Sequence, residues 1–410
     1  MRVTLEFGAE PVTLDLEAEQ LVELLGGDDC PSIADVAGAV TQAIEQPLAF
    51  PSPRRAVVPG DHVAFVLDYG IPQPAELLAP LVEHLVGAAV QPVDIVIVEV
   101  PHSKSASNGL TADAIPPGIR LVRHDSLDRD RLSYLASTKS GERIYLNRDV
   151  VDADLVVLVG RVDYHSILNY RGTGSGLFPG LADDATQKQF RRQITAAITK
   201  TSQRAARHEV DEVAWLLGIQ FAVQVVLGRG SEIVSVLAGR CGEVQQESER
   251  RLDRFWNRTA SRRAELVVAA ISDKPKNQGF EQLGLVLETA LGLVQDGGRI
   301  VVFSSLDAVP GVNLSSAQKI QDPAKIMDHV RSHPEADAIS TWQIASACRR
   351  CRVYLHSRLP NEFIEDLAMT PIDSAAEVQQ LVKQVSSCMI LNDAQLARVT
   401  VESKDDKSTG

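Results

Sequence analysis

The chain is poor in the features that mark several common protein classes. It has five cysteines in 410 residues: Cys30, Cys241, Cys348, Cys351 and Cys388. So sparse and odd a set excludes a disulfide framework. It has no surplus of positive charge: 41 Lys and Arg stand against 54 Asp and Glu, a formal net of −13. A field of that sign repels nucleic acid and anionic membranes, so neither is an expected partner. The nearest thing to a basic cluster, Arg204, Arg207, Arg262 and Arg263, reads as solvated helix surface. No long hydrophobic run exists. Leu155–Gly160 and Ile300–Phe303 are strand-sized and far short of a bilayer span. The opening "MRVTLEFGAEPVTLDLEAE" lacks the apolar segment of a secretory signal, and the expectation is a cytoplasmic protein. No G-x-G-x-x-G with a downstream acid follows the first strand, and no G-x-x-x-x-G-K-[ST] occurs. Dinucleotide and P-loop sites of the usual kinds are therefore unsupported. No internal repeat with a fixed period is visible.

What is present is enough apolar material, 44%, for full-sized cores, in a chain longer than one core usually covers. The first residues, "RVTLEFG" and "PVTLDL", alternate as a hairpin. A helix follows over Ser32–Gln46, with Ser32 as its N-cap. Strands are expected at His62–Asp68, Val93–Val100, "RLVRHD" and "LVVLVG", with a helix over Ala75–Gly87. Such alternation builds a largely parallel α/β sheet. Beyond Gly180 the pattern turns helical, as one long amphipathic segment ending at Gly218. A hairpin around "GRGS" and a charged connector helix, Glu243–Ala264, lead to a second strand–helix–strand unit. The expected organisation is two α/β domains with mainly parallel sheets, residues 1–264 and 265–400, joined by helical connectors, with the site in the interdomain cleft. Residues 401–410 read as a disordered tail.

In parallel sheets, ligands bind beyond the carboxyl ends of the strands. Asp68, His102, His124, Asp125 and His165 all fall at or just past such ends. The stretch "GRVDYHSILNYRGTGSGLFPG", Gly160 to Gly180, then carries a glycine-rich loop, Gly172–Gly176. That loop could cradle a phosphate or a close-packed cofactor, or only turn a corner. Arg171 beside it is a fixed donor for a phosphate or carboxylate. His165 reads as a general base, or as a histidine held within the strand-end network. His208 sits on a helix as a metal ligand or a surface histidine beside Glu209. Cys348 and Cys351 form "CRRC", a redox pair, half a zinc site, or two small residues on one helix. No second C-x-x-C completes a zinc site.

The order of these pieces resembles the nickel-dependent lactate racemase family of 2-hydroxyacid racemases and epimerases. The resemblance runs through "DYGIPQP", "RHDSLD", "SGERIYLNRDVVDADLVVLVGRVDYH", "WLLGIQFAVQVVLGRGSEIVSVLAG", "ALGLVQDGGRIVVFSS" and "TWQIASACRRCRVYLHS", nearly the whole length. It implies an isomerase acting on a small 2-hydroxy acid. The family's cofactor is a nickel pincer nucleotide tethered through a lysine, which takes a hydride from the substrate carbon and returns it to either face. Two histidine bases act on the substrate hydroxyl, here His165 and His102. The cofactor loop, roughly H-x-x-x-G-x-S-G-G-x-K-x-x-x-P-G in the family, would be formed by Arg171, Gly172, Thr173, Gly174 and Ser175, with Asp68 nearby; Trp342 would contact substrate, and His208 would stand in as nickel ligand.

The sequence also departs from that pattern. Asn169 replaces a loop glycine, Arg171 the serine, Thr173 a second glycine, and Ser175 the tethering lysine. Ile71 stands where the family has an arginine, Gly284 where it has a carboxylate-binding lysine, and Phe190–Arg192 lack the expected nickel-binding histidine. Two readings follow. One is a racemase with altered cofactor attachment. The other is a small-molecule or nucleotide-binding paralogue that uses the same cleft.

Overall fold

The computed structural model describes residues 1–7, 11–26, 30–101, 110–137, 141, 143–172, 174–194, 199–272 and 278–402. Two six-stranded sheets organise them. The first runs Ile233–Arg240, Phe221–Leu227, Leu155–Arg161, Val63–Leu67, Ile95–Glu99, Arg120–Arg123 from edge to edge. It is parallel except for the Ile233–Arg240 edge, which pairs antiparallel with Phe221–Leu227. Strands Val63–Leu67 and Ile95–Glu99 are buried along their whole length, as expected of apolar runs covered on both faces. The second sheet runs Thr370–Pro371, Arg352–His356, Val294–Phe303, Ala264–Ala270, Cys388–Leu391, Leu21–Leu25, and all its pairs are parallel. The α/β class with mainly parallel sheets is as the sequence indicates.

The boundary between the two units differs from the contiguous split at residue 264. Leu21–Leu25 forms the edge of the second sheet, beside Cys388–Leu391. The hairpin Arg2–Leu5 with Val12–Asp15 docks there too, through Asp15 N donating to Gln379 Oε1 (2.8 Å). Its apolar face, Val3, Leu5 and Leu14, lies in one cluster with Leu266, Val268 and Val301. Burying that face is what draws the amino-terminal segment onto the distant sheet.

Helix ends also differ, for local reasons. The first helix is Val36–Glu45, capped by Asp35, whose carboxylate accepts from Gly38 N at 2.8 Å; Ser32 lies outside it. The long segment after Gly180 is two helices, Asp184–Arg191 and Lys200–Leu216. Thr199 and Ser202 form a reciprocal capping box that starts the second one. The charged connector is Cys241–Trp256, after which Asn257–Ala260 becomes a strand beside Arg398–Val401. Val401 therefore belongs to a strand; residues 403–410 lie outside the described set. No helix among the described residues is long and apolar enough to cross a membrane.

In the first sheet, the chain passes from Val63–Leu67 outward to Ile95–Glu99 and Arg120–Arg123. It then returns to place Leu155–Arg161 on the other flank of Val63–Leu67. That reversal opens a crevice at the carboxyl ends of these two central strands. Helices Phe280–Leu293 and Ala338–Arg350 of the second unit face it.

Candidate functional site

The crevice is a cleft of about 80 Å³ between the two units. Tyr69, Arg161, Asp163, His165 and Arg171 line one side, and Glu281, Gln282 and Gln343 the other. The side chains of the first wall come from three short pieces. Asp68 and Tyr69 follow strand Val63–Leu67, and Arg161 ends strand Leu155–Arg161. A small hairpin, Asp163–His165 paired with Asn169–Arg171, then sets Asp163 opposite Arg171 and His165 opposite Asn169. Asn169 has φ +67°. That left-handed conformation suits only glycine and a few short polar residues, so asparagine can occupy the turn.

Charge in this wall is paired internally. Arg171 Nη2 lies 2.5 Å from Asp68 Oδ2, with both side chains under a tenth exposed (7% and 5%). The Arg171 guanidinium also stacks on the Tyr69 ring, 3.6 Å from its centroid. Its Nη1 is 3.8 Å from Asp163 Oδ2. Arg161 Nε approaches the same oxygen at 2.7 Å, an ionic contact without hydrogen-bond alignment, while its Nη1 donates to Gly70 O at 2.8 Å. Burial raises the Tyr69 phenol well above its ordinary range. Its hydroxyl donates to Glu281 Oε1 at 3.1 Å and so bridges the two units.

His165 is held by its own turn. Its Nδ1 accepts from Ile167 N at 3.2 Å and from Leu168 N at 3.1 Å. Two donors aimed at Nδ1 require that nitrogen to be unprotonated, so the proton of the neutral ring sits on Nε2. Burial, reinforced by the Arg171 guanidinium, pulls the ring down to about 4. In this geometry His165 is a neutral donor at Nε2. The expected role of general base has no available nitrogen here, because Nδ1 is already occupied.

The glycine loop is packed against the sheet. Ser175 Oγ donates to Gly172 O at 2.7 Å and accepts from Gly172 N at 3.1 Å, closing the loop on itself. A Cβ on Gly172 would collide with Gln224 and Gln245, and one on Gly176 would lie 3.3 Å from Asp68. Gly172, Gly174 and Gly176 surround a void of only about 10 Å³ together with Asp68 and Gly160. Gly172, Gly174 and Ser175 are absent from the cleft wall, so among the described residues of the expected loop only Arg171 faces it.

The remaining expected positions separate. Trp342 is 4% exposed, in the core with Arg331 over its ring, and its neighbour Gln343 takes the cleft position instead. His208 is on the exposed face of its helix, opposite Ala206, Val210 and Val213, and cannot reach a buried metal. His124 is buried behind the sheet, its ring nitrogens engaged with Ala182 O (3.0 Å) and Asn147 Nδ2 (3.4 Å), while Asp125 closes a turn to Leu127 N. His102 and Thr173 lie outside the described residues. Cys348 and Cys351 are pushed up to about 12 and about 11 by burial and are inert as thiolates. Sequence reasoning missed Tyr69, Arg161, Glu281 and Gln343. The available signal was a charged pair, Arg161 and Asp163, placed directly after a fully apolar strand.

A tethered nickel nucleotide does not fit these residues. The Ser175 hydroxyl is committed to Gly172. Phe190 is core, and Arg191 donates to Gln187 Oε1 at 2.9 Å. Gly284 is packed against Gln343 and Ser340, closing the place of a cationic side chain, and Ile71 is buried in the first unit's core. Among the described residues no group of three or more His, Cys, Asp or Glu side chains could hold a metal ion.

Comparison with known proteins bears on the scaffold. The family model of the lactate racemase N-terminal domain matches residues 7–201. The chain is 19% identical over 278 residues to the lactate racemase of Thermoanaerobacterium thermosaccharolyticum, a match spanning 65% of each chain. It is 20% identical over 291 residues to the lactate racemase of Lactiplantibacillus plantarum, covering 68% of this chain and 67% of that one. The structure of the lactate racemase apoprotein from T. thermosaccharolyticum superposes with a TM-score of 0.81 at 17% identity, over 98% of this chain and 100% of that one. A Thermotoga maritima protein of known structure follows at 0.64 and 10% identity, over 92% of this chain and 100% of that one. The amino-terminal part of the chain thus matches the lactate racemase N-terminal domain, and the whole chain shares the fold of the lactate racemase apoprotein.

Proposed function

We propose that this protein binds a small polar molecule in the cleft between its two units, and that the tethered-nucleotide racemisation of its relatives is lost or altered. The observation that carries the reading is Ser175, whose hydroxyl staples the glycine loop to Gly172 where the resemblance calls for a lysine. A serine cannot make a lysyl linkage. The absent cations at Ile71 and Gly284 weaken the case for a 2-hydroxy acid further, since a carboxylate needs a strong partner. A cytoplasmic setting accords with so small and odd a number of cysteines.

A second reading is a racemase or epimerase of a small 2-hydroxy acid, with its nickel pincer nucleotide held non-covalently. One observation favours it: His165, at the position of a family base, lines the cleft. Co-expression with a pincer-nucleotide biosynthesis system separates the two. Nickel content of the purified chain and racemisation of a panel of 2-hydroxy acids are measured. The first reading expects nickel-free, inactive protein under conditions that load a true racemase. Stoichiometric nickel with turnover overturns it.

A further inference from the structure

The charges of the cleft point to the class of molecule it accepts. Among the described residues the walls hold two cations, Arg161 and Arg171, and each is already faced by a carboxylate. Asp163 serves Arg161 at 2.7 Å, and Asp68 serves Arg171 at 2.5 Å. Arg171 is also stacked on Tyr69, so it cannot swing toward a ligand without giving up both contacts. Glu281 brings a further negative charge to the opposite wall. Among the described residues that line the cavity, Asp163 and Glu281 match Arg161 and Arg171 in number, and Asp68 lies behind Arg171. A carboxylate entering it would meet neutralised guanidiniums and a like charge.

Neutral groups complete the lining. Gln343 Nε2 donates to Ser166 Oγ and to Glu288 Oε2, both at 2.8 Å, which holds Ser166 and Gln343 in fixed positions. His165 adds a donor without a charge. Its Nδ1 is occupied by the backbone, which leaves Nε2–H as the nitrogen that serves the cleft. Leu252, Leu285, Ile339 and Leu396 give the cavity apolar faces that suit a carbon skeleton.

We propose that the cleft selects an uncharged polyhydroxy or amide compound, with a carbonyl or hydroxyl oxygen at His165 Nε2–H, and discriminates against the corresponding carboxylate. The proposal rests on the reading of the cleft as a binding site and adds the class of its ligand. Selection arises because a neutral oxygen needs one aligned donor, whereas a carboxylate needs an unpaired cation to offset its lost hydration.

Two matched pairs of probes test this by calorimetric titration of the full chain: gluconamide against gluconate, and lactamide against lactate. The amide of at least one pair is expected to bind about tenfold or more tightly than its carboxylate twin. In Asp163→Asn, which leaves Arg161 without its partner, the amide-to-carboxylate ratio is expected to move about tenfold toward the carboxylate. The His165 Nε2–H resonance is followed in the same titrations. Tighter binding of the carboxylates to the unmodified chain overturns the selection and leaves the cleft reading standing. Binding that does not move the His165 resonance, or no binding by any of the four probes, overturns the cleft reading with it.

Discussion

Arg171 and Asp68 meet at 2.5 Å in the floor of the cleft, almost completely removed from solvent, although a whole set of strands and helices separates them in sequence. A buried pair of this kind is poor evidence of net stability, because both charges lose their hydration. Breaking one side is another matter. Asp68→Asn or Arg171→Met should each destabilise the chain by about 3–5 kcal/mol, since each strands a buried charge. The double variant should recover most of that loss. Urea denaturation of the four proteins checks it; additive single losses would mean the residues do not act as a pair.

The state of His165 makes stability depend on pH with a definite sign. Folding holds the ring neutral, with its pKa lowered from 6.5 to about 4. Between those values the unfolded chain binds more protons than the native one. Stability is therefore complete above about pH 6.5 and falls as the pH drops toward 4, by about 3 kcal/mol from this group. His165→Gln should remove that part of the slope. Denaturant midpoints for both proteins at neutral and mildly acidic pH decide the matter, and parallel losses would refute it.

Nitrogen-15 NMR of the histidine side chains tests the tautomer directly. The His165 ring should carry its proton on Nε2 at neutral pH, because Ile167 N and Leu168 N both donate to Nδ1. A protonated Nδ1 would restore the general-base assignment.

Gly172 allows the loop to approach the sheet. Gly172→Ala places a methyl group against the terminal amides of Gln224, which is fully buried, and of Gln245, so both side chains must shift. A loss of about 1–3 kcal/mol is expected, typical of an overpacked interior. An unchanged melting temperature would show that the loop can lift without cost.

Ser175→Ala removes the hydroxyl that bridges Gly172 N and O. The expected loss is about 1 kcal/mol, the net worth of such hydrogen bonds. The same thermal unfolding experiment reads it. No loss would mean that Ser175 does not staple the loop, and would reopen its position to a cofactor.

The scaffold was largely legible in the sequence because local patterns carry it. Apolar runs such as "VAFVL" and "IVIVE" report strands buried on both faces, and the helical periods between them report crossovers. The break at Thr199 was written there too, as a short polar capping box inside an amphipathic stretch, but the longer period masked it. His165 and Arg171 were visible as chemistry after a strand end.

Their state was decided elsewhere. Nothing local tells which His165 nitrogen two backbone donors will occupy, that Asp68 will consume the charge of Arg171, or that Tyr69 will reach across to Glu281. Nor does the amino-terminal pattern say that Leu21–Leu25 will pair with Cys388–Leu391 at the far end of the chain. Strand and helix propensities are short-range, so the sequence by itself determined the elements and their α/β order. Ion pairing, desolvation and sheet-edge pairing depend on which remote groups come together, so only the tertiary structure decided how the charges of the cleft are paired.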